Sequence, residues 1–234
     1  MTPEFFLPVI TPEIFDLKPD YCALSVMALN VTNSPSDALS MEVAEVLRSP
    51  TPGWAEAHLD AWRGAYRGFG AKPQRTLPSA DALIQRLRRD GQLPPINPVV
   101  DLYNAISVSF VVPVGGENMA AYVSSPLLAR ADGSELFDTT KDGAPYLEPI
   151  PAGEVVWKDD QGVTCRRWNW RQGLRTRIET STTDMWFVME RLEPMPIESL
   201  HEAGRVLIQH LRILSPEAHI STFLSDRSGT TAVP

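Results

Sequence analysis

Apolar positions fall along this chain in two rhythms, and the change from one to the other marks its organisation. Tyr21-Cys22-Ala23-Leu24-Ser25-Val26-Met27-Ala28-Leu29 is a short, nearly unbroken apolar run, which predicts a buried strand. Helical spacing follows. Ser34 can cap a helix, Pro35 suits its first turn, Asp37 complements its dipole, and Leu39, Val43, Val46 and Leu47 form an apolar face down to Arg48. Trp54, His58, Trp62 and Tyr66 recur four residues apart, which predicts a second helix with that row in the core. A third is predicted from Ser79 over SADALIQRLRRDG: Ala82, Leu83 and Leu87 share a face, and Arg86, Arg88 and Arg89 fill the last turn before Gly91.

Beyond residue 91 the texture turns to strands. AISVSFVVPV (105–114), AAYVSSPLLARADG (120–133) and MWFVMERL (185–192) read as strands, and EVVWKDDQGVTCRRW (154–168) reads as a hairpin turning at Asp159-Asp160-Gln161-Gly162. A last amphipathic helix, Ile197 to Leu214, aligns Leu200, Ala203, Leu207, Leu211 and Leu214. The tail DRSGTTAVP is expected to be disordered. Helices at both ends of a run of strands predict an α+β fold. The 21 prolines are scattered rather than gathered into a linker, so a single domain over 1–225 is expected, with a disordered tail at 226–234.

At 234 residues and 43% hydrophobic, the chain can bury a full core. No run approaches the roughly 18 apolar residues of a membrane span, and the start MTPEFFLPVITPEIF has acids and prolines where a secretory signal carries cations, so a cytoplasmic protein without a membrane partner is expected. Cys22 and Cys165 lack metal-ligand spacing and read as buried thiols. No metal or cofactor motif is present, nor a P-loop, GxSxG or HExxH element. The histidines, His58, His201, His210 and His219, lie away from the central motifs and read as structural.

Charge sharpens this picture. Against a net charge of −8, residues 63–89 carry +6 and residues 165–177, CRRWNWRQGLRTR, carry +5, leaving about −19 elsewhere. Two positive islands on an acidic protein suit an anion bound at one place better than general adhesion to nucleic acid. Strand alternation sends neighbouring side chains to opposite faces, so the five arginines of the second island cannot all meet one ligand.

The stretch LPPINPVVDLYNAISVSFVVPVGGEN, residues 93–118, stands out. Pro94, Pro95 and Pro98 fix the backbone around Asn97, and Asp101 and Asn104 are polar residues at the edge of an apolar segment. Asn97 and Asp101 either satisfy turn amides or form the polar floor of a pocket, with Gly115 and Gly116 admitting a ligand close to the backbone and Glu117 and Asn118 at the rim.

The pattern P-x-N-x-V-V-D-x-x-N, preceded by the serine-led helix Ser79–Arg89 and followed by P-x-G-G-E-N, resembles the B3/4 domain, the editing and tRNA-binding domain of the phenylalanyl-tRNA synthetase beta chain, and above all its free-standing relatives. Cys165, Arg166, Trp168, Asn169 and Arg171 match their C-R-x-W-N-x-R element, and the resemblance spans roughly residues 20 to 215. It implies a sheet or sandwich-like core flanked by helices, no cofactor, and a pocket that hydrolyses a mischarged aminoacyl ester with a bound water and no covalent nucleophile. Asn104 matches the asparagine of the synthetase V-D-x-T-N motif, with Tyr103 in place of its threonine, and Glu190 corresponds to a glutamate ending a later strand. Asn104 and Glu190 are therefore the expected catalytic pair, and Asn97, Asp101, Tyr103, Gly115, Gly116, Glu117 and Asn118 the expected substrate-binding set. The histidine of the synthetase Q-P-x-H element has no counterpart, because the chain runs Pro113-Val114-Gly115-Gly116, so tyrosine specificity does not carry over.

The implied partner is the acceptor end of a tRNA or an amino-acid-like small molecule. Arg75, Arg171, Arg175, Arg177 and Trp170 are the expected RNA-binding residues, with base stacking on an exposed Trp168 or Trp170 contributing about 1–3 kcal/mol. Arg166, Trp168 and Asn169 are expected to tie the hairpin to the motif around Asn97 and Asp101. Two alternatives stand beside deacylation: a binding module without chemistry, and a small-molecule protein that kept the fold and lost tRNA.

Overall fold

The computed structural model describes residues 7–34 and 46–233. In chain order its elements are β1 (Val9–Ile10), α1 (Pro12–Leu17), β2 (Cys22–Leu29), α2 (Ala55–Gly68), α3 (Ser79–Asp90), α4 (Pro98–Ser109), β3 (Val114–Asn118), β4 (Leu127–Arg130), β5 (Leu136–Lys141), β6 (Ala144–Pro149), β7 (Val155–Asp159), β8 (Gly162–Arg166), β9 (Arg171–Gln172), β10 (Met185–Arg191), α5 (Ile197–Leu214), β11 (His219–Asp226) and β12 (Gly229–Val233). The helix expected from Ser34 falls, over 35–45, outside the described residues.

The strands form two sheets, one five-stranded in the order β12-β11-β2-β10-β3 and wholly antiparallel, the other seven-stranded in the order β1-β4-β7-β8-β5-β6 with β9 added beside β8. The five-stranded sheet is covered on both faces, which explains why β2 reads as an unbroken apolar run rather than an alternation. Cys22, Leu24, Val26 and Ala28 pack with residues of α4 and α5 such as Leu102, Ile106, Leu200 and Leu207. Ala23 and Met27 face the other way, into an aromatic layer of Tyr21, Trp62, Tyr66, Trp157 and Trp168 that joins this sheet to the seven-stranded one and to α2. The fold is α+β with a layered sheet core flanked by helices.

Two sequence expectations fail here, each for a physical reason. The segment 105–109, read as strand, continues helix α4. Asn97 caps that helix by accepting from the Val100 amide, and Pro98 supplies its first turn. The helix packs against α3, α5 and β3, so it is apolar on nearly all sides and shows no helical stripe. The tail, expected to be disordered, instead forms β12, which pairs with β11 from Thr222 opposite Val233 to Asp226 opposite Gly229. Thr230, Thr231 and Val233 suit a strand, and polarity alone hid it.

His58 is structural. Its Nδ1 donates to the Val111 carbonyl at 2.8 Å, while its Nε2 accepts from Trp62 Nε1 and the Leu192 amide, each at 3.2 Å, so the ring is held neutral. Burial lowers its pKa to about 4. Because the unfolded imidazole titrates near 6.5, the unfolded chain takes up this proton first. The stability His58 confers above that pH is lost as pH falls toward 4, by up to about 3 kcal/mol. An imidazole NMR titration is expected to find His58 still neutral at pH 5; a midpoint near 6.5 would contradict this account.

Candidate functional site

Strand parity builds the site. Along β10, Met185, Phe187 and Met189 point to the helical layer, while Trp186, Val188 and Glu190 point between the sheets. On the neighbouring edge strand β3, Glu117 lies opposite Trp186 and Gly115 opposite Val188, so Glu117 shares that inner face. Two acids are thereby carried into the interior by strands that are otherwise largely apolar.

Between the sheets lies a cavity of about 240 Å³. Ser79 and Leu83 of α3 and Tyr103 and Asn104 of α4 close one side, Gly115, Gly116 and Glu117 of β3 another, and the segment Trp168–Gln172 a third, with Glu190 at the inner end. That third wall is a strained turn. Arg167 and Trp168 both take left-handed backbone angles, φ 53° and 68°, which cost on the order of 1–2 kcal/mol each in residues with a Cβ. Its anchors are strong: Arg166 binds Glu154 through two parallel 3.0 Å bonds and also pairs with Glu148, the Arg167 amide donates to Glu154 at 3.2 Å, and the Trp168 amide donates to the Val155 carbonyl at 2.6 Å.

Asn169, at the tip of the turn, stands between two buried groups. Tyr66 Oη donates to its Oδ1 at 2.8 Å, and its Nδ2 donates to Glu190 Oε2 at 2.9 Å. Glu190 Oε1 accepts from Tyr21 Oη at 2.7 Å and Trp157 Nε1 at 3.2 Å. Burial pushes the Glu190 carboxyl up to about 7, with the Tyr21, Asn169 and Trp157 donors opposing the rise. Glu117 differs. It is 4% exposed, its Oε2 has no hydrogen-bond partner among the described residues, and burial raises its pKa to about 8, opposed by the nearby Thr176 hydroxyl and Gln172 amide. At neutral pH it is mostly an uncharged acid facing the cavity. Both thiols are held protonated by burial, Cys22 at about 11 and Cys165 well above its usual range, so neither supplies a thiolate.

Of the residues expected at the site, Tyr103, Asn104, Gly115, Gly116, Glu117, Glu190, Trp170 and Arg171 line this one cavity. Others do not. Asn97 holds the chain together instead: its Oδ1 accepts from Asn33 and the Val100 amide, and its Nδ2 donates to the Ile178 carbonyl at 3.1 Å. Asp101 accepts from the Ile96 amide at 2.9 Å, and Asn118 caps a short turn through the Ala120 amide at 3.1 Å. Gly116, although on the cavity lining, is also required by Tyr103, since a Cβ there would lie 2.6 Å from Tyr103 Cε1. Arg166, Trp168 and Asn169 tie the hairpin to Glu154, Glu190 and Tyr66, not to the Asn97 motif.

The arginines also sort themselves. Arg175 is taken by the buried Asp159 through bonds of 2.9 and 2.6 Å, and despite burial that pair holds the Asp159 carboxyl below its usual range. Arg171 and Arg177 are exposed and have no acid partner among the described residues. Trp168 is fully buried and unavailable for stacking; Trp170 is half-buried, with the Arg167 guanidinium 4.5 Å over its ring. Arg75 lies on a different cleft. In the first island Arg63 is neutralised by Glu56, Asp60 and Asp81.

Ser79 was legible only as a helix cap. It makes no cap bond, Pro78 occupying that position, and its hydroxyl lines the cavity without a partner among the described residues. Gln172, which donates to the Gly116 carbonyl at 2.7 Å, and the donors Tyr21 and Trp157 carried no sequence signal, because each role depends on a partner far away in the chain.

Known proteins bear on this geometry in two ways. The B3/4 domain family matches residues 61–203. Among solved structures, an N-terminal fragment of the phenylalanyl-tRNA synthetase beta subunit from Pyrococcus horikoshii superposes with a TM-score of 0.52 at 11% identity, over 99% of this chain and 57% of that fragment, so the chain spans just over half of its length and shares its fold. No curated protein sequence matches the chain. Among the described residues no helix is long and apolar enough to cross a membrane.

Three substitutions test the geometry. Glu117→Gln removes a group whose folded pKa lies above its unfolded value, a group whose favourable contribution is present below about pH 4.5 and lost as pH rises through about 8. The variant is therefore expected to melt several degrees above the parent at pH 9 and close to it at pH 4, by calorimetry. Gly116→Ala is expected to destabilise by about 1–3 kcal/mol in urea unfolding through the clash with Tyr103, and Tyr103→Leu in the same chain to recover part of that loss.

Proposed function

The chain belongs to the B3/4 domain family, and from that premise we propose that its inter-sheet cavity receives the aminoacyl end of a tRNA and hydrolyses the ester of a wrongly attached amino acid. One observation carries the reading: Asn104, Glu117 and Glu190 line a single cavity with Trp170 and Arg171 on its wall. A small apolar pocket with a few converging polar groups suits an amino-acid moiety. The half-buried Trp170 suits a terminal base, and the unpaired Arg171 and Arg177 suit the phosphates beside it.

In this reading water adds to the ester carbonyl, the bond to the ribose oxygen breaks, and the proton of the water ends on that oxygen, giving a free amino acid and a free ribose hydroxyl. The Asn104 carboxamide holds the water. Neutral Glu117 donates a hydrogen bond to the carbonyl oxygen as charge develops there. Glu190, with both oxygens engaged, is a positioning residue that fixes Asn169 and Trp157. The same engagement favours a second reading, a binding module that holds aminoacyl-tRNA or an amino acid without cleaving it.

A panel of mischarged tRNAs separates the two. Asn104→Ala is expected to slow ester cleavage by about 10²-fold, and cleavage above the spontaneous background is expected to fall as pH rises through about 8, where Glu117 ionises, with a flatter profile in Glu117→Gln. If the parent cleaves no ester faster than Asn104→Ala yet binds the charged RNA, the module reading stands and catalysis is dropped.

A further inference from the structure

A second cleft, of about 290 Å³, opens where α2 ends. It is lined by Lys72, Arg75 and Thr76 on one side and by Glu154 and Arg167 on the other. Its charges are unbalanced. Lys72 and Arg75 are exposed and have no acid partner among the described residues. Glu154 is the one acid on the lining among the described residues, and both its oxygens are already bound by Arg166 at 3.0 Å. Arg167 adds a further cation, its Nε 3.5 Å from Glu154 and its guanidinium carbon 4.5 Å over the Trp170 ring.

Trp170 connects this cleft to the first cavity. Arg167 lies over its ring on the cleft side, and the same residue lines the inter-sheet cavity. We propose that the cleft is a phosphate subsite, in which Lys72, Arg75 and Arg167 hold the backbone phosphate of a single RNA strand whose terminal base stacks on Trp170. This rests on the reading of the first cavity as a site for an aminoacyl RNA end. It gives that strand a direction, with the ester between the sheets and the preceding phosphate at the end of α2. Guanidinium forks suit phosphate oxygens, and among the described residues no carboxylate pairs with Lys72 or Arg75.

The test uses the whole chain and three probes: a short single-stranded RNA ending in CCA, a 3′-aminoacyl adenosine analogue without phosphate, and inorganic pyrophosphate, each titrated over a graded salt series. Lys72→Ala combined with Arg75→Ala is expected to weaken RNA binding roughly tenfold and to reduce the salt slope by about 0.7, the loss of one neutralised phosphate on a single strand. Affinity for the phosphate-free analogue is expected to stay unchanged. RNA binding with an unaltered slope in the double variant overturns the subsite and leaves the RNA reading standing. Pyrophosphate binding that needs Lys72 and Arg75, in a protein that binds no RNA, keeps the subsite and overturns the RNA reading. Binding of neither overturns both.

Discussion

The buried carboxylate of Glu190 is the constraint around which the two sheets are assembled. Removing a carboxylate from water costs several kcal/mol unless its oxygens are met by donors. Here the donors come from separate stretches of chain: Tyr21 just before β2, Trp157 on β7 and Asn169 in the turn after β8, with Tyr66 of α2 completing the set through Asn169. The Trp157 and Asn169 contacts form only when the two sheets dock, and the Tyr66 contact only when α2 joins them, so the acid opposes every arrangement except the one that satisfies it. The aromatic layer provides area and the carboxylate provides register.

The strained turn at Arg167 and Trp168 follows from the same requirement. To bring Asn169 under Glu190 and bury Trp168 beside Trp62 and Tyr21, the chain must reverse within a few residues after β8, and it does so with two left-handed residues that are not glycine. The paired bonds from Arg166 to Glu154 offset that cost. The basic run is thus divided by function: Arg166 and Arg175 serve the fold through buried acids, Arg167 stacks on Trp170, and Arg171 and Arg177 remain toward solvent. An acidic protein keeps such a basic stretch because much of its charge is already answered inside.

Much of this was legible in the sequence, and the failures are instructive. β2, β10, the β7–β8 hairpin, α2, α3 and α5 follow directly from apolar spacing, because each has at least one face whose neighbours impose a clear period. Helix α4 was misread because burial on several sides erases that period and leaves only β-branched residues to judge by. Asn104, Glu117 and Glu190 could be picked out by motif resemblance. Asn97 and Asp101 stand in the same motif and look alike in sequence, yet they cap a helix and a turn. What separates the two groups is which way each side chain points, a property of strand parity and helix phase that single-sequence patterns specify only once the partners are known. The burial of Trp168 beside the half-exposed Trp170 is the same distinction, two residues apart.

Strand β3 ends the five-stranded sheet, and its outer edge is not left bare. The Asn118 amide donates to the Thr176 carbonyl at 2.8 Å, Glu117 bridges Arg177 across the backbone, and Gln172 reaches the Gly116 carbonyl. The segment from Gln172 to Arg177 is in effect a rudimentary extra strand, stitched to the strand that carries Glu117. Surface loops ordinarily absorb insertions and deletions without cost to what lies beneath them. This one cannot, because a change of a single residue in its length would slide the arginine rim past the floor it is bonded to and free the sheet edge at the same stroke. The mouth of the cavity is therefore fixed in register with its floor, so its lining can drift by substitution but scarcely by change of length.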